Sequence, residues 1–134
     1  MRHILTFITL CLAVAASVSC GGETLEEIEA RAGQTAVEYY RHLQHGRYAD
    51  FVAGMEGADS LPSDYRKQME ENAAMFLKQQ NEAHHGIQDI TLRRCCADTA
   101  SKTAEALLDI HYSDSTVELV CVPLVCRSGT WLMK

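Results

Sequence analysis

Positive charge is scarce in this chain. Lys and Arg number 12 against 18 Asp and Glu over 134 residues, a formal net charge of −6. A surface short of cations has little with which to neutralise phosphates, which argues against nucleic acid as a partner and against a polybasic grip on anionic lipid. Long apolar runs are missing after residue 16, so nothing beyond that point approaches the roughly 20 apolar residues a spanning helix needs. No Cys-x-x-Cys spacing occurs, which removes the common redox motif. Proline occurs only at Pro62 and Pro123, which leaves long uninterrupted stretches for helices and strands.

What is present begins with an address. Arg2 gives a positive start, residues 4–16 form an apolar run broken only by Thr6 and Thr9, and Ser17, Val18 and Ser19 precede Cys20-Gly21-Gly22. That order describes an export signal over residues 1–19 rather than a membrane span. Two cuts suit the junction. A lipoprotein signal peptidase would cut before Cys20 and leave diacylglycerol on its sulfur. An ordinary signal peptidase would accept Ser17 and Ser19 as its small residues, and Ser17 stands where a lipobox usually has a large aliphatic residue. Cysteine arithmetic favours lipid: Cys20, Cys95, Cys96, Cys121 and Cys126 make an odd set, and lipidating Cys20 leaves four. The expected organisation is a signal peptide at 1–19, a spacer and start of the first helix at 20–32, and one small domain at 33–134. Without Arg2 the charge balance is 11 against 18, or −7. The expected location is the bacterial cell envelope, held to the inner or outer membrane by lipid on Cys20.

The domain reads as helices first and strands second. Thr24-Leu25-Glu26-Glu27 is a capping-box pattern, and Ala36, Val37, Tyr40 and Leu43 follow at helical spacing. Gly33 reads as a weak point in that helix, and His45-Gly46 ends it. Tyr48, Phe51, Val52 and Met55 share a face of a second helix. Pro62-Ser63 opens a third, striped by Tyr65, Met69, Ala73, Phe76 and Leu77 and closed by His85-Gly86. Helices are thus expected at 24–45, 47–55 and 62–84. From Ile87 the period becomes two, with strands expected at 87–96, 102–112, 116–126 and 130–134. Residues 117–125 are nearly all apolar, which predicts a central strand covered on both faces, with a bulge or an unpaired edge at Pro123. The fold class is α+β: N-terminal helices on a curved antiparallel meander. Val37, Tyr40, Phe76, Leu108, Ile110 and Trp131 are expected in one core.

Candidate chemistry is sparse. His42 with His45, and His84-His85, have spacings that can share a metal. They also sit where helix carbonyls call for capping donors, so no metal and no cofactor are expected. Tyr39, Tyr40, Tyr65, His111, Tyr112 and Trp131 are candidates to line a pocket, against the reading that Tyr40, Tyr65 and Trp131 are core. Asp109 and His111 share a strand face and can serve as acid and base, or simply face solvent. No catalytic residue is assigned. Export makes disulfides the default, and Cys96 (or Cys95) with Cys126 is the expected pair. An intact strand between them would hold their Cα atoms about 9–10 Å apart, beyond the roughly 7 Å a bridge allows, so the bond requires a frayed end.

Two stretches carry a family likeness. From Ala36 to Ala49, Tyr39-Tyr40 on a helix leads through the Gly46 loop to Tyr48-Ala49. This resembles the opening of small nuclear-transport-factor-2-like, cystatin-like domains. Val122-Pro123-Leu124-Val125 followed by Gly129-Thr130-Trp131 resembles their closing strands. With the cysteine upstream, the chain resembles the lipoprotein domain-of-unknown-function family 4878, common in Bacteroidetes. The likeness covers about Gly33 to Lys134. It implies a cone-like fold with a curved sheet around a long helix, often with a cavity, and it implies no activity. The expectation is therefore an envelope lipoprotein whose domain binds a small ligand or an envelope protein, non-catalytic. The rival is a cone-fold isomerase or dehydratase using a cavity Asp, His or Tyr.

Replacing Cys20 by Ser tests the anchor. Two acyl chains on the sulfur and usually a third on the amine exceed the two-signal threshold for stable membrane attachment. Fractionated cells should release the Cys20→Ser protein from the membrane pellet while the parent stays in it. Equal retention of both would remove the localisation argument.

Overall fold

A computed structural model describes residues 22–134; the expected signal peptide and Cys20 lie outside the described residues. Three helices precede four strands: α1 (Leu25–Gln44), α2 (Tyr48–Ala53), α3 (Ser63–His84), β1 (Ile87–Asp98), β2 (Thr103–Tyr112), β3 (Val117–Arg127) and β4 (Thr130–Met133). A single 3-10 turn, Ala58–Ser60, links α2 to α3. The sheet is an antiparallel meander in the order β1-β2-β3-β4. This is the expected α+β class.

Local chemistry explains the helix ends. The capping box at Thr24 forms in full: Thr24 Oγ1 accepts from the Glu27 amide at 3.2 Å, and Glu27 Oε2 accepts from the Thr24 amide at 2.9 Å. An N-cap of this kind stabilises by about 1 kcal/mol. Gly46 takes the left-handed conformation expected of it, with φ 72°. At the end of α3, His85 itself is left-handed at φ 63° before Gly86.

α1 lies along the inner face of the sheet and is tied to β1 at both ends. Glu29 Oε1 accepts from the Ala97 amide at 3.1 Å, and Gln44 Nε2 donates to the Ile87 carbonyl at 3.1 Å. Between these ties the helix presents Ala32, Gly33, Ala36 and Val37, all buried. Gly33 is thus a close-approach residue rather than a weak point: a Cβ there would sit 2.5 Å from Leu92 Cδ2 and 3.2 Å from Cys95 Cβ. β1 slips register between Leu92 and Arg94. The extra residue of this bulge keeps both Leu92 and Cys95 on the core side, which strict alternation would forbid.

The core joins Ala32, Ala36 and Val37 of α1 to Ile90, Ala106, Leu108, Val122, Leu124 and Trp131. Fully burying a large apolar side chain is worth about 1.5–3 kcal/mol, whereas an exposed ion pair contributes about 0–1. The core therefore outweighs surface pairs such as Arg127–Glu56. Phe76 departs from the expected core: it is 36% exposed, because α3 buries only Ala73 and Leu77 and rides outside the cone.

β3 also departs from expectation. Val117 and Leu119 are each 50% exposed, so the first part of the strand is covered on one face only, while Leu124 and Val125 are both buried farther along. Pro123 fits the unpaired-edge alternative. It pairs in register with Glu105 without a bulge, and its carbonyl accepts from the Lys134 amide at 3.0 Å. Backbone donor and acceptor of one strand residue point the same way, so its missing N–H faces the β4 side, away from β2. β4's own outer edge is closed by the chain after α2: the Met133 amide donates to the Gly54 carbonyl at 2.8 Å, and the Glu56 amide to the Met133 carbonyl at 2.7 Å.

The expected Cys96–Cys126 bridge is corrected. Cys95, Cys96, Cys121 and Cys126 are all free. Cys96 pairs with Glu105 on β2, and Glu105 with Pro123 on β3, so an unfrayed strand lies between the two thiols. Two inter-strand spacings, about 9–10 Å, are too far for a disulfide.

Gly54 gives a test of the packing. Its Cβ would fall 2.5 Å from Tyr39 Cδ1 and 2.9 Å from Cγ, and that ring is pinned by a 2.7 Å bond from its hydroxyl to the Trp131 carbonyl. Gly54→Ala should cost about 1–3 kcal/mol in urea unfolding, the range for overpacking. Tyr39→Phe, which loses only the hydrogen bond, should cost about 1 kcal/mol.

Candidate functional site

α1 blocks the middle of the cone and leaves a cavity at each end. The first lies among the helices, about 350 Å³, walled by Tyr40 and Leu43 of α1, Phe51 and Met55 at α2, and Met69, Asn72, Ala73 and Phe76 of α3. It exists because α3 rides outward. Tyr40 meets Phe51 edge to face at 5.7 Å between ring centroids. Asn72 is the one amide in an otherwise apolar and aromatic wall. Burial, then Glu118 and Cys121, push the Tyr40 phenol above its ordinary range. It is therefore a hydrogen-bond donor at neutral pH and not a base.

The second cavity, about 550 Å³, lies between the N-terminal half of α1 and the turns that join β1 to β2 and β3 to β4. Ile28, Cys126 and Trp131 supply apolar wall, and Glu23, Arg31, Asp98 and Lys102 supply charge. Along α1, residues 28–31 and 40–43 are 12 positions apart, or about 18 Å at 1.5 Å per residue, so the two cavities are separate.

The residues singled out in the sequence divide among several places. Tyr40 lines the helical cavity and Trp131 the other one. Tyr39 is spent on the Trp131 carbonyl, and burial followed by Glu38 raises its phenol. Tyr65 is 58% exposed on α3. His111 faces outward on β2 and meets Thr91 Oγ1 at 2.9 Å, while Asp109 beside it is held by Arg93 at 2.9 Å. The two thus serve separate cross-strand pairs and do not address each other. Tyr112 is buried at the inner end of β2 and donates to Glu118 Oε2 at 2.7 Å. Burial first, then that bond and the Glu118 and Asp114 charges, push its phenol up. Of the histidines, His42 accepts from Arg47 Nε at 3.0 Å, His45 caps α1, and His84 pairs with Asp114. No group of three or more His, Cys, Asp or Glu that could hold a metal occurs among the described residues. Cys95 is pushed up to about 11 by burial, then by Glu29 and Cys96, which makes it a poor nucleophile.

Glu118, Arg31, Lys102 and Asn72 went unmarked in the sequence. Glu118 had a signal, as a lone carboxylate in an apolar run. Arg31 and Lys102 are far apart in sequence, and only the fold brings them to one cavity.

With the geometry described, the architecture can be classed: helices followed by a curved four-stranded meander wrapped on a long helix, the nuclear-transport-factor-2-like cone. No protein-family model matches the chain, and no curated protein does. Among solved structures, a crystal structure of an NTF2-like transpeptidase from Campylobacter jejuni superposes with a TM-score of 0.56 at 14% identity, covering 75% of this chain and 94% of that one. At that identity the likeness shows the fold.

The end of α3 is latched to the β2–β3 turn. His84 Nδ1 meets Asp114 Oδ2 at 2.9 Å, the His84 ring stacks on Tyr112 at 4.5 Å, and Asp114 Oδ1 accepts from the Thr116 amide at 2.9 Å. The His84 bond first, and the Thr116 amide next, hold the Asp114 carboxyl down at about 2 from an ordinary 3.8. A carboxyl lowered in the folded state stabilises above its unfolded value and loses that contribution as pH falls toward its folded value. The midpoint of urea unfolding should thus fall more steeply from pH 4 to 2 in the parent than in Asp114→Asn. Parallel curves would mean that the latch adds nothing.

Proposed function

We propose that this is a non-catalytic binding domain, displayed on the cell envelope by lipid on Cys20, that takes a small apolar ligand. One observation carries the reading: the open cavity among the three helices, about 350 Å³ and walled by Tyr40, Leu43, Phe51, Met55, Met69, Ala73 and Phe76 with the Asn72 amide as polar tip. A concave, mostly apolar pocket with few polar groups is the usual form of a small-ligand site. Anchoring at the envelope rests on the sequence order from Arg2 to Cys20 and on the odd cysteine count. The finer likeness to lipoprotein family 4878 rests on the motif order alone and is part of this proposal. The Campylobacter jejuni neighbour is described as a transpeptidase. Transpeptidation is not carried over, since at 14% identity the likeness shows the fold only.

N-phenyl-1-naphthylamine, a neutral apolar fluorophore, tests the cavity. The protein should bind it saturably, and Ala73→Phe, which fills the space, should weaken binding at least tenfold with an unchanged far-UV spectrum. Absence of saturable binding, or equal binding to Ala73→Phe, would remove this pocket as the site.

A further inference from the structure

We propose that the cavity at the other end of α1 is a second site, built for a small amphiphile with a carboxylate head. The head would meet Arg31 and Lys102, and the apolar body would lie against Ile28, Cys126 and Trp131. The inference rests on the binding-domain reading but uses a different cavity.

The space, about 550 Å³, suits a ligand of that size. Its charged groups are unequally free. Asp98 spends Oδ1 on the Ala100 and Ser101 amides of its turn, at 3.0 and 3.3 Å. Lys102 has no ion-pair partner among the described residues. Arg31 has one, Glu23, which itself belongs to the cavity wall. A carboxylate therefore already sits on the guanidinium at this place, and it comes from an exposed residue just before the helix cap, which a ligand can displace. The Glu23 carboxylate is the internal stand-in for the ligand's head.

The floor is apolar. Trp131 is 4% exposed and its Nε1 is out of reach of solvent, so the residue offers a ligand apolar surface and not its N–H. Once Glu23 is displaced, Arg31 and Lys102 are both free to meet the head, which favours an anion over a cation, and the Asp98 charge that stays in the wall disfavours a head carrying more than one.

Trp131 is the one tryptophan of the chain, so its fluorescence reports this cavity and not the helical one. The exported chain carrying Cys20→Ser is titrated with decanoate, decanol and decylamine below micelle-forming concentrations. Decanoate should shift Trp131 emission saturably, at least tenfold more tightly than decanol, with decylamine weaker still. Arg31→Gln and Lys102→Gln should each weaken decanoate about tenfold, Lys102→Arg should retain it, and Glu23→Gln should tighten it by removing the competing carboxylate. A flat Trp131 signal, or decanol binding as well as decanoate, or indifference to both cation substitutions, would overturn the site. If the naphthylamine probe still binds, the binding-domain reading survives that outcome; if neither ligand binds, both readings fall.

Discussion

The close approach of α1 to β1 is the constraint on which the remaining structure depends. Ala32, Gly33 and Ala36 bring the helix backbone down to Leu92 and Cys95, and Val37 reaches the next layer of the core. A larger residue on that face would lift the helix off the sheet, because packed interiors have no slack for an extra side chain. The bulge in β1 answers the same demand from the other side, since it turns Leu92 and Cys95 together toward the helix. Hydrogen bonds from the Ala97 amide to Glu29 and from Gln44 to the Ile87 carbonyl set the two elements lengthwise.

Cavities follow from that seating. A 20-residue helix is about 30 Å long and fills the middle of the cone, so space remains only beyond its packed stretch. At one end α2 and α3 complete the wall, and α3 commits only Ala73 and Leu77 to burial, which leaves the gap beside Phe76 and Met69. At the other end two hairpin turns close over the first turns of α1 and bring opposite charges around an apolar floor. The two ends thus differ in chemistry, one nearly uncharged and one with paired and unpaired ions.

Polar contacts have the second role, which is to place edges and ends. The Tyr39 hydroxyl on the Trp131 carbonyl, the chain after α2 along β4, and His84 with Asp114 fasten the edge strand and the end of α3. A single hydrogen bond such as that of Tyr39 is worth about 1 kcal/mol, small beside the core but enough to choose among conformations of similar burial.

Sequence by itself determined the elements and their order. The capping box at Thr24, the glycine stop at Gly46, Pro62 at a helix start and the change to period two at Ile87 are local signals, read by local physics, and each stands where it was expected. Three things were decided only by tertiary structure. Whether Gly33 weakens a helix or admits a neighbour depends on what lies opposite, and that is Leu92, 59 positions on. Whether an apolar strand such as β3 is covered twice depends on how many layers the chain can supply; the helices cover one face, so Val117 and Leu119 stay exposed. Whether Cys96 meets Cys126, or Arg31 meets Lys102, depends on strand order and turn placement. β2 separates the first pair while the turns bring the second to one cavity. Periodicity along one chain carries no information on such distances, because they are properties of the sheet and not of any segment in it.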